Sequence, residues 1–318
     1  MSQSTVVQQM KAQLQGKDFL QIGDFTKDNL MDLIKLAIQL KTMQKNGDPH
    51  KYLEGKTLAM IFEKSSTRTR VSFETGMYQL GGIAQFLNTN DLQLGKGETI
   101  ADTAKVLSRY VDVIMIRTYG HDIALELAEN ASIPVINGLT DDAHPCQVLT
   151  DLMTVYEKKK QFQGLKLAFV GDGNNMSQSL LMGCAIMGID CHVATPKGYE
   201  IKQSILKQAK EKAASNTSII QTHDPYEAVK DADIIYTDVW TSMGFESEKK
   251  ARQEAFREYQ VNENLVKGAK DDYLFMHCLP AIRDQEVTSE VIDGENSVVF
   301  DQAENRLHAQ KAVLSSIV

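Results

Sequence analysis

Four cysteines, Cys146, Cys184, Cys191 and Cys278, are scattered through the 318 residues without a CxxC pair or zinc-like spacing. That argues against a disulfide scaffold or a cysteine zinc site and fits a reducing cytoplasm. No run approaches the ~20 apolar residues a membrane helix needs, and the polar first 25 residues lack the apolar segment of an export signal. Neither membrane insertion nor export is expected. Positive charge is also outweighed: 34 Lys and Arg stand against 42 Asp and Glu, and a formal net charge of -8 argues against the broad basic field of a general nucleic-acid or anionic-membrane binder. An anionic ligand must then be held by local groups. No glycine-rich loop ending in Gly-Lys-Ser/Thr occurs, so a nucleotide P-loop is excluded as well.

A length of 318 residues with 42% hydrophobic composition exceeds what a single core usually sustains, so two domains are expected. From Asp28 to Gln44 an amphipathic helix is read, opened by Thr26 or Asp28 and closed by Gly47. Strand-like runs then follow at 58–62, 83–87, 111–116 and 133–136, with helices at 70–80, 100–109 and 122–129 between them. This is the pattern of a parallel βαβ domain. A helix at 145–160 ends in Glu157-Lys158-Lys159-Lys160 and suits a bridge between domains. A second alternation has strands at 165–170, 191–194, 218–221, 233–236, 273–276 and 298–300, and helices at 175–187, 201–214 and 226–231. The charged, weakly periodic stretch between Trp240 and Asn262 reads as a mobile loop with a surface helix, and a last helix spans about 304–315.

The densest chemical signal is Ser65-Ser66-Thr67-Arg68-Thr69-Arg70, placed where the run Leu58 to Phe62 hands over to a helix. The first turn of such a helix has N–H groups without intrahelical partners and the positive end of the dipole, which favour an anion. Arg68 and Arg70 add planar guanidinium donors, and a small phosphate compound is the expected ligand. The plainer alternative is a capping hydroxyl with arginines in surface ion pairs. It accounts for one hydroxyl, not for the whole cluster.

Ligands of parallel α/β sheets bind beyond the carboxyl ends of strands, and several such ends are polar here. Arg117 leaves the run ending at Ile116, to meet a ligand oxygen or to bridge a nearby acid. His144-Pro145-Cys146-Gln147 follows the 133–136 strand, with His144 in cap position and Gln147 one turn later on the same side, so both could donate to a carbonyl oxygen. Gly171-Asp172-Gly173-Asn174-Asn175 is superficially a dinucleotide loop, but Met176 stands in place of the third glycine and Pro196 near the expected acid. The Asn pair suits a carboxylate or an amino-acid backbone, or simply caps the helix. Asp238, with Ser242-Met243-Gly244 beyond it, suits a cationic amine or a loop cap. In His277-Cys278-Leu279-Pro280 a Cys–His nucleophile pair is discounted, because adjacent side chains on an extended segment face opposite ways.

Together these segments resemble the transcarbamylase family over nearly the whole chain, and within it the branch that uses ornithine. The resemblance implies two doubly wound parallel-sheet α/β domains joined by helices, with the active site in the interdomain cleft. It divides the chain into a carbamoyl phosphate-binding domain (1–150), an ornithine-binding domain (151–303) and a C-terminal helix (304–318) that returns to the first domain. The activity implied is transfer of the carbamoyl group of carbamoyl phosphate to the side-chain amine of L-ornithine, giving L-citrulline and phosphate, with no metal or organic cofactor. Ser66, Thr67, Arg68, Thr69, Gln93, Arg117, His144, Gln147, Cys278, Leu279 and Arg306 match the family's carbamoyl phosphate contacts, and Asn175, Asp238, Ser242 and Met243 its ornithine contacts. Arg117, His144, Gln147 and Cys278 carry the catalytic roles in this reading. A homotrimer, or a multiple of trimers, with active sites near subunit boundaries is also implied. Two positions depart from the pattern: Asp284 stands where glycine is expected, and Gly97 where some members carry a basic residue.

Overall fold

The computed structural model describes residues 13–93, 97–242 and 244–318. They form two compact units, with boundaries at Met153/Thr154 and Ala303/Glu304, so the last fifteen positions from Glu304 to Val318 belong with the first unit.

The first long helix described in the first unit is α1 (Lys27–Asn46). Thr26 is its cap: the hydroxyl accepts from Asn29 N–H and Asn29 answers to the Thr26 backbone, while Gly47, left-handed at φ 77°, closes it. A four-stranded parallel sheet follows, built from β1 (Thr57–Phe62), β2 (Ile83–Asn88), β3 (Val113–Arg117) and β4 (Val135–Leu139). The crossovers are α2 (Thr67–Gln79), α3 (Ile100–Leu107) and α4 (His121–Asn130). Strand order is β2-β1-β3-β4. Leu58 to Phe62 and Val113 to Arg117 are buried throughout because helices cover both faces of a parallel sheet, which is why they read as unbroken apolar runs. Ala59, Ile61, Ile114, Ile116 and Val135 share one core. At the outer side of β4, Phe19 pairs with Ile136 and exchanges backbone hydrogen bonds with Val135 and Asn137 at 2.8 and 2.9 Å.

The helix α5 (Pro145–Lys159) runs from the first unit into the second. There a five-stranded parallel sheet, in the order β7-β6-β5-β8-β9, contains β5 (Lys166–Val170), β6 (Asp190–Ala194), β7 (Ile219–Thr222), β8 (Ile234–Thr237) and β9 (Leu274–His277). Its connections include α6 (Asn175–Met187), α7 (Gln203–Lys212) and α8 (Pro225–Val229). Every residue of α6 after Asn175 is buried, which explains a helix apolar nearly all round.

Two elements differ from expectation. Residues 298–300 are not a strand: Ser297 makes a single bridge to Phe275, and Val299 begins α12 (Val299–Ile317), which runs on past the expected 304–315. The β-branched run is too short to extend the ladder, and the helix-forming Asp301-Gln302-Ala303-Glu304 carries it into a helix. The stretch after Trp240 is more than a loop with a surface helix. It contains α9 (Lys249–Ala255), with α10 (Glu263–Val266) just beyond it, and Trp240, Phe256 and Tyr259 anchor it in the core with Val170, Ile235 and Phe275. Charged residues at neighbouring positions mask these three aromatics in the sequence. A short helix, α11 (Ser289–Ile292), follows β9. Among the described residues no helix is long and apolar enough to cross a membrane.

Candidate active site

In the first unit β1 is followed in sequence by β2 on one side of it and then by β3 on the other, so the chain reverses direction across the sheet between β1 and β3. Crevices at such switch points are where open α/β sheets bind ligands. The Ser65–Arg70 segment leaves β1 there, and Arg117 ends β3 beside it, its carbonyl accepting from Glu63 and Lys64 N–H at 2.9 and 3.4 Å. Ser66 is the cap of α2: its oxygen accepts from Thr69 N–H at 3.2 Å and lies 3.1 Å from the Thr69 hydroxyl. Thr67 begins α2 and is exposed, whereas Arg68 is half-buried. Arg70 takes the plainer reading, since it pairs with Glu74 at 3.1 Å and lies over the Phe86 ring, 3.7 Å from its centroid.

Further along the chain, Arg306 on α12 donates to Thr69 Oγ1 at 2.8 Å and to Gln147 Oε1 at 3.1 Å. Gln147 donates to Asp151 at 2.8 Å, so its amide is held from both ends. His144, buried immediately before α5, accepts through its carbonyl from Gln147 and Val148 N–H, which confirms its cap position. Burial, and after it the charges of Arg306 and Arg117, holds the His144 imidazole well below its ordinary pKa. At neutral pH it is therefore uncharged, able to donate one N–H without adding positive charge. Cys146 is inert here, its thiol pushed up to about 12 by burial.

A frame not foreseen in the sequence supports these groups. Lys64, buried, pairs with Asp141 and lies over the Tyr119 ring, while Glu63 accepts from the Thr118 hydroxyl and from Tyr119 N–H. It ties the exits of β1, β3 and β4 together. Gln93 is exposed in the loop after Thr89–Asp91, adjoining residues 94–96, and among the described residues no side-chain hydrogen bond joins it to the others. Gly97 is left-handed at φ 111° with open space around it.

The second unit repeats the topological device: its sheet reverses direction between β5 and β8. Asn174, after β5, caps α6 by accepting from Met176 and Ser177 N–H at 2.9 and 3.1 Å. With its amide nitrogen it donates to Asp238 Oδ2 at 3.1 Å. The cap is thus Asn174, and Asn175 is the first helical residue, half-buried. Asp238 leaves β8 and is buried; its Oδ1 accepts from Val239 N–H at 2.9 Å and from Cys278 Sγ, at the exit of β9, at 3.1 Å. His277 accepts from Leu279 N–H at 2.8 Å and faces buried Glu286, 3.4 Å away, rather than serving Cys278 as a base. Leu279 is left-handed at φ 56°. Asp238, His277 and Cys278 offer donor atoms within 4.8 Å of one another, but the Asp238 carboxylate and His277 Nδ1 already accept the hydrogen bonds above. A metal ion bound through Cys278 would need its thiolate and so would forfeit the Cys278–Asp238 hydrogen bond.

Ser242 is half-buried, its carbonyl accepting from Phe245 N–H at 3.1 Å; Met243 lies outside the described residues. Gly173 has a packing reason unconnected with a nucleotide: a Cβ there would sit 2.4 Å from the Glu200 backbone. Asp284 supplies the left-handed turn, φ 65°, for which glycine was expected.

Each unit thus carries a switch-point cluster of its own polarity, one of hydroxyls and guanidiniums and one around a carboxylate. Residues 17–157 match the model of the aspartate/ornithine carbamoyltransferase carbamoyl-P binding domain, and residues 163–317 that of the Asp/Orn binding domain. The chain belongs to the aspartate/ornithine carbamoyltransferase family. Ornithine carbamoyltransferase of Anoxybacillus flavithermus is 59% identical over 307 residues, 96% of this chain and 98% of that protein. That of Thermococcus kodakarensis is 57% identical over 310 residues, 97% of this chain and 98% of its own length. The solved ornithine carbamoyltransferase of Pyrococcus furiosus superposes with a TM-score of 0.93 at 57% identity, covering 95% of this chain and 97% of that one.

Proposed function

We propose that this chain transfers the carbamoyl group of carbamoyl phosphate to the side-chain amine of L-ornithine, releasing L-citrulline and phosphate, as a step of arginine metabolism. The observation that carries the assignment is Asp238, held at a strand fork by Asn174 and Cys278. A buried carboxylate with amide and thiol neighbours suits an alkylamine and would repel an acidic acceptor.

In this reading Ser66, Thr67, Arg68 and Thr69 hold the phosphate at the N-terminus of α2 and, with Arg306, neutralise the charge that grows on it as it leaves. Gln93 adds a contact from its loop. Arg117, neutral His144 and Gln147 stabilise the oxygen of the tetrahedral intermediate. The ornithine amine is mostly protonated in water, at a pKa of about 10, and must lose a proton before its lone pair attacks the carbonyl carbon. Asp238 and Cys278 orient it, while Leu279, beside them, contacts the carbamoyl group. The C–N bond forms first, giving that tetrahedral intermediate, which then collapses with cleavage of the C–O bond to phosphate as the leaving phosphate takes up the second amine proton. Asn175, Ser242 and Met243 hold the α-amino and α-carboxylate groups. The donor set belongs chiefly to residues 1–150 with the helix at 304–318, joined by Cys278 and Leu279 from 151–303, and the acceptor set belongs to 151–303.

A cytoplasmic homotrimer is part of the proposal. The cysteine pattern supports the compartment. Exposed large apolar side chains of the first unit support self-association, among them Tyr78 on α2, 79% exposed, and Ile83 on edge strand β2, 67% exposed. The test is a citrulline assay with ornithine beside putrescine, an acetylated ornithine and aspartate. Ornithine alone should turn over, and Arg68→Ala should lower kcat/KM about a thousandfold in a folded protein. Preference for another acceptor, or near-normal turnover of the variant, would sink the assignment.

A further inference from the structure

Arg252, on α9, is buried at 7% exposure, yet none of the roles above uses it. Its guanidinium joins groups from separate parts of the second unit. It donates to Asp172 Oδ2 at 2.6 Å, to the Trp240 carbonyl at 3.1 Å and to Glu248 Oε2 at 2.8 Å. The rings of Tyr199 and Phe245 lie 5.0 and 4.9 Å from its central carbon. Asp172 belongs to the turn that carries Asn174 and Asn175, whereas Trp240, Phe245 and Glu248 bracket Ser242. Tyr199 reinforces the turn, because its carbonyl accepts from Gly173 N–H at 2.9 Å.

We propose that Arg252 is a positioning residue for acceptor binding, a latch that holds the Ser242 segment against the Asp172 turn so that Ser242 and Asn175 keep one spacing. This rests on the reading of those two residues as ornithine contacts. A planar fork is suited to the task because it reaches a carboxylate and a carbonyl on different segments at once, which a lysine ammonium at the end of a flexible stem does less well. With the latch broken, the segment samples positions that do not bind, and the apparent affinity falls by the fraction that remains competent. Bound ornithine restores the arrangement, so kcat suffers less than KM.

The test compares Arg252→Met, Arg252→Lys, Asp172→Asn and the double variant Asp172→Asn/Arg252→Met by steady-state kinetics and thermal unfolding. Arg252→Met should raise the ornithine KM about tenfold or more, with the carbamoyl phosphate KM unchanged and kcat lowered only severalfold. Arg252→Lys should fall between it and wild type. In the double variant the uncompensated Asp172 charge is gone, so the melting temperature should recover while the ornithine KM stays high. The latch is refuted if the ornithine KM of Arg252→Met stays within about twofold of wild type, or if both KM values rise together and return with the melting temperature in the double variant. Failure of the wild-type chain to make citrulline refutes the functional reading instead. The latch is then judged by amide exchange between Trp240 and Glu248, which must quicken in Arg252→Met for it to stand.

Discussion

The two strand forks solve opposite electrostatic problems with the same topology. In the first unit the fork between β1 and β3 is lined by donors: a helix N-terminus, hydroxyls and the guanidiniums of Arg117 and Arg306. In the second, the fork between β5 and β8 is organised around one acceptor, the Asp238 carboxylate, with an amide and a thiol turned toward it. Parallel topology therefore decides where a ligand sits, and the side chains at the exits decide its charge.

Exchanging the character of each fork tests the comparison most severely. Arg117→Met should lower kcat some 10²- to 10³-fold while leaving the ornithine KM near its wild-type value. Asp238→Asn should do the reverse, raising the ornithine KM about a hundredfold with the carbamoyl phosphate KM unchanged. Steady-state kinetics on both variants decides whether the forks act on separate substrates.

The caps give a smaller contrast. Ser66→Ala removes a helix cap, at about 1 kcal/mol of stability. Asn174→Ala removes a cap together with a hydrogen bond to Asp238, so urea unfolding should show a loss nearer 2 kcal/mol.

Acid gives the smallest. In the first unit His144 is held well below its ordinary pKa, and His308 is pushed down to about 3 by burial and then by Lys311 and Lys41. Below pH ~6.5 the unfolded chain binds protons that the folded chain refuses, so stability is lost as the pH falls, by about 0.8 kcal/mol per histidine at pH 6. Asp172 in the second unit has the opposite sign: burial raises its pKa, so it gains protons more readily folded than unfolded. Urea unfolding at about pH 7.5 and about pH 6 should show the loss, and His308→Gln should remove its share.

The donor fork was largely legible because its signal is local: a buried strand, a polar hexapeptide and a helix within a few consecutive turns of chain. The acceptor fork was less so. An Asn-Asn pair cannot reveal which residue caps, since the answer depends on where α6 starts, and the structure gives the cap to Asn174. Nothing local marks Arg252 either. Its partner Asp172 lies 80 residues away, and its own helix reads as a charged surface segment. Arg306 reaches Thr69 across 237 residues and was visible only through the family resemblance. The run 298–300 misled for the converse reason: its strand propensity is real, but one bridge to Phe275 is all the ladder it meets.

Siting each fork in its own unit also bears on inheritance. Because Asp238 and Asn174 leave different strands of a sheet that shares none with Ser66 or Arg117, mutations at them would, in the proposed reading, redraw the acceptor socket and leave those donor contacts unaltered. A lineage built this way can keep one donor chemistry and exchange its acceptors, like a handle that takes several blades.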